Sequence, residues 1–151
     1  MRRAHPGDVD VLITLMTEFY AEGGYTLDLS AAAHAFATIL REPALGSVWI
    51  IDDAGQSVGY AVLTMRFGME YGGMMASIDD LFVRRDFRNR GLSSRALREL
   101  REHCRDQGIR AITVEVAPDN AAAQRVYRRL GLVEVPGRQL LALPLAPPTH
   151  V

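Results

Sequence analysis

Apolar positions recur along this chain with two periods, and the switches between them mark out its elements. After the short run "MRRA" and the turn "HPGD", whose Asp8 can cap a helix, Val9, Leu12, Leu15, Met16 and Phe19 fall at helical spacing. "EGGYTLD" ends that amphipathic helix, and a second is expected from a Ser30 cap to about Arg41, stopped by Pro43. The period then shortens. "SVWIIDD" and "SVGYAVLTMRF", rich in β-branched and aromatic residues and joined through "DAGQ", predict a hairpin. "GMEYGG" turns into a third strand, "MMASIDDLFV".

Helical spacing returns in "LSSRALRELREHCRDQG", with Leu92, Ala96, Leu97, Leu100 and Cys104 expected inward. "AITVEVA" reads as a strand broken by Pro118 and Asp119. Asn120 can cap a helix whose apolar stripe is Ala123, Val126, Tyr127 and Leu130 and which Gly131 closes. "LVEV" and "RQLLALPL", separated by Pro136 and Gly137, predict two final strands. The order of strand, two helices, three-strand meander, helix, strand, helix and two strands is that of an α/β protein with a mixed central sheet flanked by helices. At 151 residues, 1–151 is expected to form a single domain.

Composition removes several chemistries. All 17 basic residues are arginine, so a lysine-dependent phosphate loop or Schiff base is excluded. The single Cys104 has no disulfide partner and is expected to be a buried, unreactive thiol; no cysteine pair or closely spaced histidines offer a metal site. His5, His34 and His150 have no partners at ligand spacing and are expected at the surface. No run approaches the roughly 18 apolar residues of a membrane span, and "MRRAHPGD" turns polar at once, so the expectation is a cytoplasmic protein without a membrane partner.

Charge adds an asymmetry to a net −1. The first 80 residues carry four arginines against eleven acids, a balance of −7, and the remainder carry thirteen against seven, a balance of +6. Two ligands of opposite character fit this division, and so does a solvated arginine face. A nucleic-acid partner is not expected, because the arginines cluster on one loop and helix of a nearly neutral chain.

The densest cluster is "RRDFRNRGLSSRALREL", 84–100, between a strand end and a helix start. There several backbone N–H groups lack intrahelical partners and the helix dipole adds positive potential, so the loop can hold an anion, with Gly91 allowing close approach. Arg88, Arg90 and Arg95 can add charge-assisted hydrogen bonds. The loop by itself is equally well a set of solvated arginines.

A second constellation narrows the choice. "EVAPDNAAAQRVYRRLGL" places Asn120, Ala123, Tyr127 and Gly131 in the pattern N-x-x-A-x-x-x-Y-x-x-x-G, about 30 residues after "IDDLFV" and "RNRGLS". In this order and spacing the motifs, spanning about 78–132, resemble the GNAT superfamily of acetyl-CoA-dependent N-acetyltransferases. The resemblance implies a mostly antiparallel mixed sheet and acetyl-CoA as co-substrate. It implies that the backbone of Leu81, Phe82 and Val83 pairs with the pantetheine arm. It implies further that the segment Arg88, Asn89, Arg90, Gly91, Leu92, Ser93 and Ser94 holds the pyrophosphate, with Asn120, Ala123 and Tyr127 completing the site. Ser93 departs from the family's glycine or alanine. Tyr127 matches the general acid, while Glu115 and Asp79 match carboxylates proposed as bases in different relatives.

Asp79 and Asp80 are adjacent on a strand, so they are expected on opposite faces, with Asp80 a structural hydrogen-bond partner. The acceptor is expected opposite the co-substrate, near Glu18, Glu22, Asp28 and Glu70 with Tyr20 and Tyr25, an acidic and partly aromatic setting suited to the amine of a small molecule or peptide. Relatives often pair through their terminal strands, which would make a homodimer. A non-catalytic acyl-CoA-binding or regulatory domain is the rival reading, and it has no need of Tyr127.

Overall fold

The computed structural model describes residues 1–146 and 148–150. Strand β1 (Arg2–Arg3) leads through a single 3-10 turn, Pro6–Asp8, into α1 (Val9–Glu22) and α2 (Leu29–Arg41); β2 (Gly46–Asp53), β3 (Gln56–Gly68) and β4 (Gly73–Val83) form the meander; α3 (Leu92–Asp106), β5 (Ala111–Val114) and α4 (Ala121–Arg129) follow. The five strands lie in sequence order in one sheet, antiparallel from β1 to β4, with β5 parallel to β4.

Helices cover both faces. On one, Leu12, Leu15 and Met16 of α1 and Ala32 and Phe36 of α2 pack against Val48, Ile50, Tyr60, Val62 and Phe82. On the other, Leu97, Leu100 and Cys104 of α3 cover Ala61, Leu63, Ala76 and Ile78, joined by Val126, Tyr127 and Leu130 of α4. The inward stripe read for α3 is buried throughout. Cys104 is a buried free thiol, and burial raises its pKa.

Local chemistry fixes the element ends. The β2–β3 turn places Ala54 and Gly55 at positive φ, as a two-residue hairpin loop requires. Helix α2 begins two residues earlier than expected, because Asp28 and not Ser30 is its cap: Oδ1 of Asp28 accepts from the N–H groups of Ser30 and Ala31. Asp8 turns away from the α1 terminus. Its carboxylate accepts from both terminal nitrogens of Arg2 and from the His5 N–H, contacts that hold its pKa down at about 2.

The two final strands do not form. Residues 132–135 and 138–145 have no ladder, β5 pairs among the described residues only with β4, and Leu140, Leu141, Leu143 and Leu145 are largely exposed. Leucine and alanine have weak strand preference, and Pro144 removes a donor. The last described residues fold back instead: the Asp28 N–H donates to the Thr149 carbonyl, Leu27 bridges His150, and the His150 ring lies 4.9 Å from Tyr20 and 5.0 Å from Tyr25. His150 is therefore a packed residue, contrary to the surface position expected for it.

Candidate active site

The site is built where β4 and β5 part. Their parallel pairing runs only from Met75 opposite Ala111 to Ile78 opposite Val114. β5 is thus shorter than "AITVEVA" predicted, and from Asp79 to Val83 β4 pairs with β3 alone. One edge of Leu81, Phe82 and Val83 is left without a strand, as a docked extended ligand arm requires. The Val83 carbonyl is the exception, since it accepts from Arg88 Nε at 2.7 Å.

A bulge sits at the same place. Val62 of β3 faces Asp80, and its neighbour Leu63 faces Ile78, so Asp79 is an extra residue on β4. Alternation would have sent Asp79 and Asp80 to opposite faces; the inserted residue cancels it and both carboxylates reach the α1–α2 side. Thr64 Oγ1 donates to Asp79 Oδ1 and Tyr60 Oη to Asp80 Oδ2, each at 2.9 Å. Tyr60, Val62 and Thr64 share that face of β3.

Both carboxylates line a cavity of about 440 Å³. Met16 and Tyr20 of α1, Ala35, Phe36 and Ile39 of α2, and Val62 form most of its apolar wall; Asp79, Asp80 and Glu115 are its acids. Burial and the neighbouring Asp80 and Asp79 push the Tyr20 phenol up to about 12. Burial also raises Asp80, to about 6, against the opposing hydrogen bond from Tyr60. Tyr60 itself is raised far above the phenol range, chiefly by burial.

Of the residues expected to bind the acceptor, Tyr20 and Asp79 line this cavity. Glu18 does not: both its oxygens accept from Arg84 at 2.7 Å, tying α1 to the end of β4. Glu70 pairs with Arg138, Asp28 caps α2, and Tyr25 lies against Tyr20 and His150 at the surface. Charged residues near an expected cleft were consumed by closer partners that sequence spacing does not reveal.

The loop after β4 is a run of open amides. The N–H groups of residues 89–94 donate to no acceptor among the described residues; Asn89 and Gly91 take positive φ, of 61° and 77°. Gly91 precedes α3, whose first turn has no side-chain cap. Open space lies before Gly91, since a Cβ there would meet nothing within 4 Å. Concave unsatisfied amides at a helix start suit a diphosphate.

Arg88, Arg90 and Arg95 each have protein partners. Arg88 Nη2 donates to both Glu22 oxygens, the guanidinium lies 5.7 Å from the Phe82 ring centre, and Nε holds Val83. Arg88 therefore pins the loop to α1 and β4. Arg90 reaches Asp53 at 3.3 Å and stacks over Phe87, while Arg95 contacts the Asp52 carbonyl and Glu99.

Tyr127 comes from α4 on the far side of the parting. Its pKa is raised, first by burial and then by the charge of Asp80. The hydroxyl has no protein partner among the described residues, while the ring packs with the α3 core. Asn120 caps α4, its Oδ1 accepting from the Ala123 N–H. Glu115 is exposed at the end of β5. Asp80 has the hydrogen-bond partner expected of it, Tyr60, but on the cavity side of the sheet together with Asp79, a placement the sequence does not show. The bulge that presents Asp80 has no signature in "SIDD". Among the described residues no cluster of histidine, cysteine or acidic side chains could hold a metal, and no helix is long and apolar enough to cross a membrane.

Comparison with known proteins bears on the family and the fold. The model of the acetyltransferase (GNAT) family matches residues 11–132. An integron cassette protein from the mobile metagenome of Cole Harbour Salt Marsh is 47% identical; the match covers 98% of this chain and 91% of that one, with a TM-score of 0.89. A predicted acetyltransferase with acetyl-CoA from Clostridium acetobutylicum shares the fold at 16% identity, covering 93% and 94%, with a TM-score of 0.79. An aminoglycoside N-acetyltransferase in complex with CoA does so at 18% identity, covering 96% and 93%, with a TM-score of 0.80. No curated protein matches.

Proposed function

The chain belongs to the acetyltransferase (GNAT) family, and on that premise we propose that it moves an acetyl group from acetyl-CoA to a primary amine of a small-molecule or peptide acceptor. Transfer is direct, within a ternary complex. The observation that carries this reading is the continuity of the unpaired β4 edge. It connects the open amides of residues 89–94 to the cavity bearing Asp79, Asp80 and Glu115.

The residues fit acetyl-CoA, which supplies the activated thioester when bound. The amides of residues 89–94 hold the pyrophosphate, with Arg88 shaping the loop from behind. The free edge of Leu81 and Phe82 aligns the pantetheine arm, and a main-chain N–H there polarises the thioester carbonyl. Tyr127, kept protonated by burial and by Asp80, donates to the departing sulfur; a thiolate of pKa about 8.5 is basic enough to accept that proton when adjacent.

The cavity favours an amine on an apolar arm: the arm lies on Met16, Phe36 and Ile39, and the ammonium meets the acids. Asp79 and Glu115 are the carboxylates that family likeness offers for its deprotonation.

Release of CoA thiol from acetyl-CoA, followed with a panel of primary amines, tests the reading. Turnover with at least one is expected. Tight acetyl-CoA binding with turnover on none would leave the non-catalytic acyl-CoA-binding domain in its place.

A further inference from the structure

The bulge at Asp79 changes which carboxylate is best placed for the chemistry. Asp79 is the extra residue; it is exposed, and Thr64 already donates to it. Glu115 is exposed beyond the end of β5. Asp80 is more deeply set. Tyr60 Oη fixes its Oδ2 at 2.9 Å, while its Oδ1 accepts no hydrogen bond from the described residues, and the side chain lines the cavity. One oxygen is anchored and the other is open to a donor.

We propose that Asp80 is the catalytic residue that takes the proton from the acceptor ammonium, with Tyr60 as its positioning residue. This rests on the acetyl-transfer reading. Asp80 accepts one ammonium proton, the freed nitrogen pair bonds to the thioester carbonyl carbon, and the carbon–sulfur bond breaks with its electron pair on sulfur. Tyr127 protonates that sulfur and is reprotonated by the second proton the nitrogen sheds. Asp80 returns its proton to solvent, so the net release is one proton per acetyl group transferred.

The surroundings suit the task. Tyr60 from β3, Asp79 on β4 and His150 near the chain end act on Asp80, whose own charge reaches Tyr20 from α1 and Tyr127 from α4, and Glu115 lines the same cavity. Burial and Asp79 raise its proton affinity, and Tyr60 and His150 temper it, leaving a group ionised at neutral pH yet more basic than a carboxylate in water. Burial, with the same charge that attracts the ammonium added to it, keeps Tyr127 protonated.

The test uses the full chain with acetyl-CoA and spermidine, 2-phenylethylamine, kanamycin and an alanine-terminated peptide as amine probes. For whichever probe is acetylated, Asp80→Asn should lower kcat about 100-fold or more, as loss of a general base does, with KM within about threefold. It should also erase the acidic limb of kcat/KM near pH 6. Asp79→Asn and Glu115→Gln should lower kcat less than about tenfold and keep that limb. Asp80→Glu should restore part of the rate. Carboxyl-carbon NMR of the unliganded protein gives a second readout independent of turnover: the Asp80 signal should titrate well above the ordinary aspartate range. An active Asp80→Asn variant with its acidic limb intact, or an Asp80 carboxyl titrating at its ordinary value, would overturn the assignment alone. A wild-type protein that binds CoA and acetylates none of the four probes would remove the transfer reading with it.

Discussion

Tyr60 donates its phenolic proton to Asp80 at 2.9 Å across two paired strands, diagonally, because the direct partner of Asp80 is Val62. Burial lifts both groups, so Tyr60 remains a donor at every working pH and its hydrogen bond pulls the Asp80 pKa down toward 6.

Tyr60→Phe removes the hydrogen bond that holds Asp80 down. The Asp80 pKa then rises, and the acidic limb of kcat/KM should move upward by about one pH unit, the equivalent of a hydrogen bond worth about 1.4 kcal/mol. A pH–rate profile beside wild type checks this; an unmoved limb would separate Tyr60 from the chemistry.

Stability should depend on pH through Asp80 in the sense opposite to a salt-bridged acid. Its pKa is raised from 3.8 to about 6 on folding. Between those values the folded state binds more protons than the unfolded one, so stability falls as pH rises from about 4 to about 6. The penalty at neutral pH is on the order of 2–3 kcal/mol. Asp80→Asn should therefore melt higher than wild type at pH 8 and alike at pH 4, read by thermal denaturation at both. A melting temperature unchanged at pH 8 would mean that Asp80 ionises without cost.

Tyr127→Phe keeps the ring that packs on the α3 core and deletes only the unpartnered hydroxyl. Turnover should fall by about 100-fold while the Kd for CoA stays within about threefold. Stopped turnover together with lost CoA binding would instead point to a packing role.

Gly91 and Ser93 separate conformation from contact in the amide loop. A Cβ at Gly91 meets open space, yet φ is 77°. Gly91→Ala should thus destabilise by about 1–2 kcal/mol through backbone strain alone and weaken CoA binding by about tenfold. Ser93→Gly removes no backbone donor and should bind CoA equally or more tightly. A clear loss would identify the Ser93 hydroxyl as a ligand. Calorimetric titration of CoA into each variant measures both.

Element order and type were legible in the chain wherever a local rule was strong. The stripe of α3, the alternating β2–β3 hairpin and the Asn120 cap are each set by residues within a few positions of one another. The resemblance of "RNRGLS" and Asn120 to Tyr127 was legible for the same reason, being carried by short contiguous motifs. The final strands failed because "RQLLALPL" has apolar content but weak strand preference and a proline, and whether a ladder forms depends on a partner that no local pattern supplies.

The sequence by itself determined the helices, the meander, the open amides before α3 and the placement of Tyr127 on α4, since backbone geometry and periodicity act over one or two turns. Tertiary structure decided which charges remain for chemistry. Arg84 and Arg88 engaged Glu18 and Glu22 from 66 residues away. One inserted residue at Asp79 turned two adjacent carboxylates onto a single face. Strand register and ion pairing are settled by competition among distant partners, and that competition left Asp80 anchored on one oxygen and open on the other.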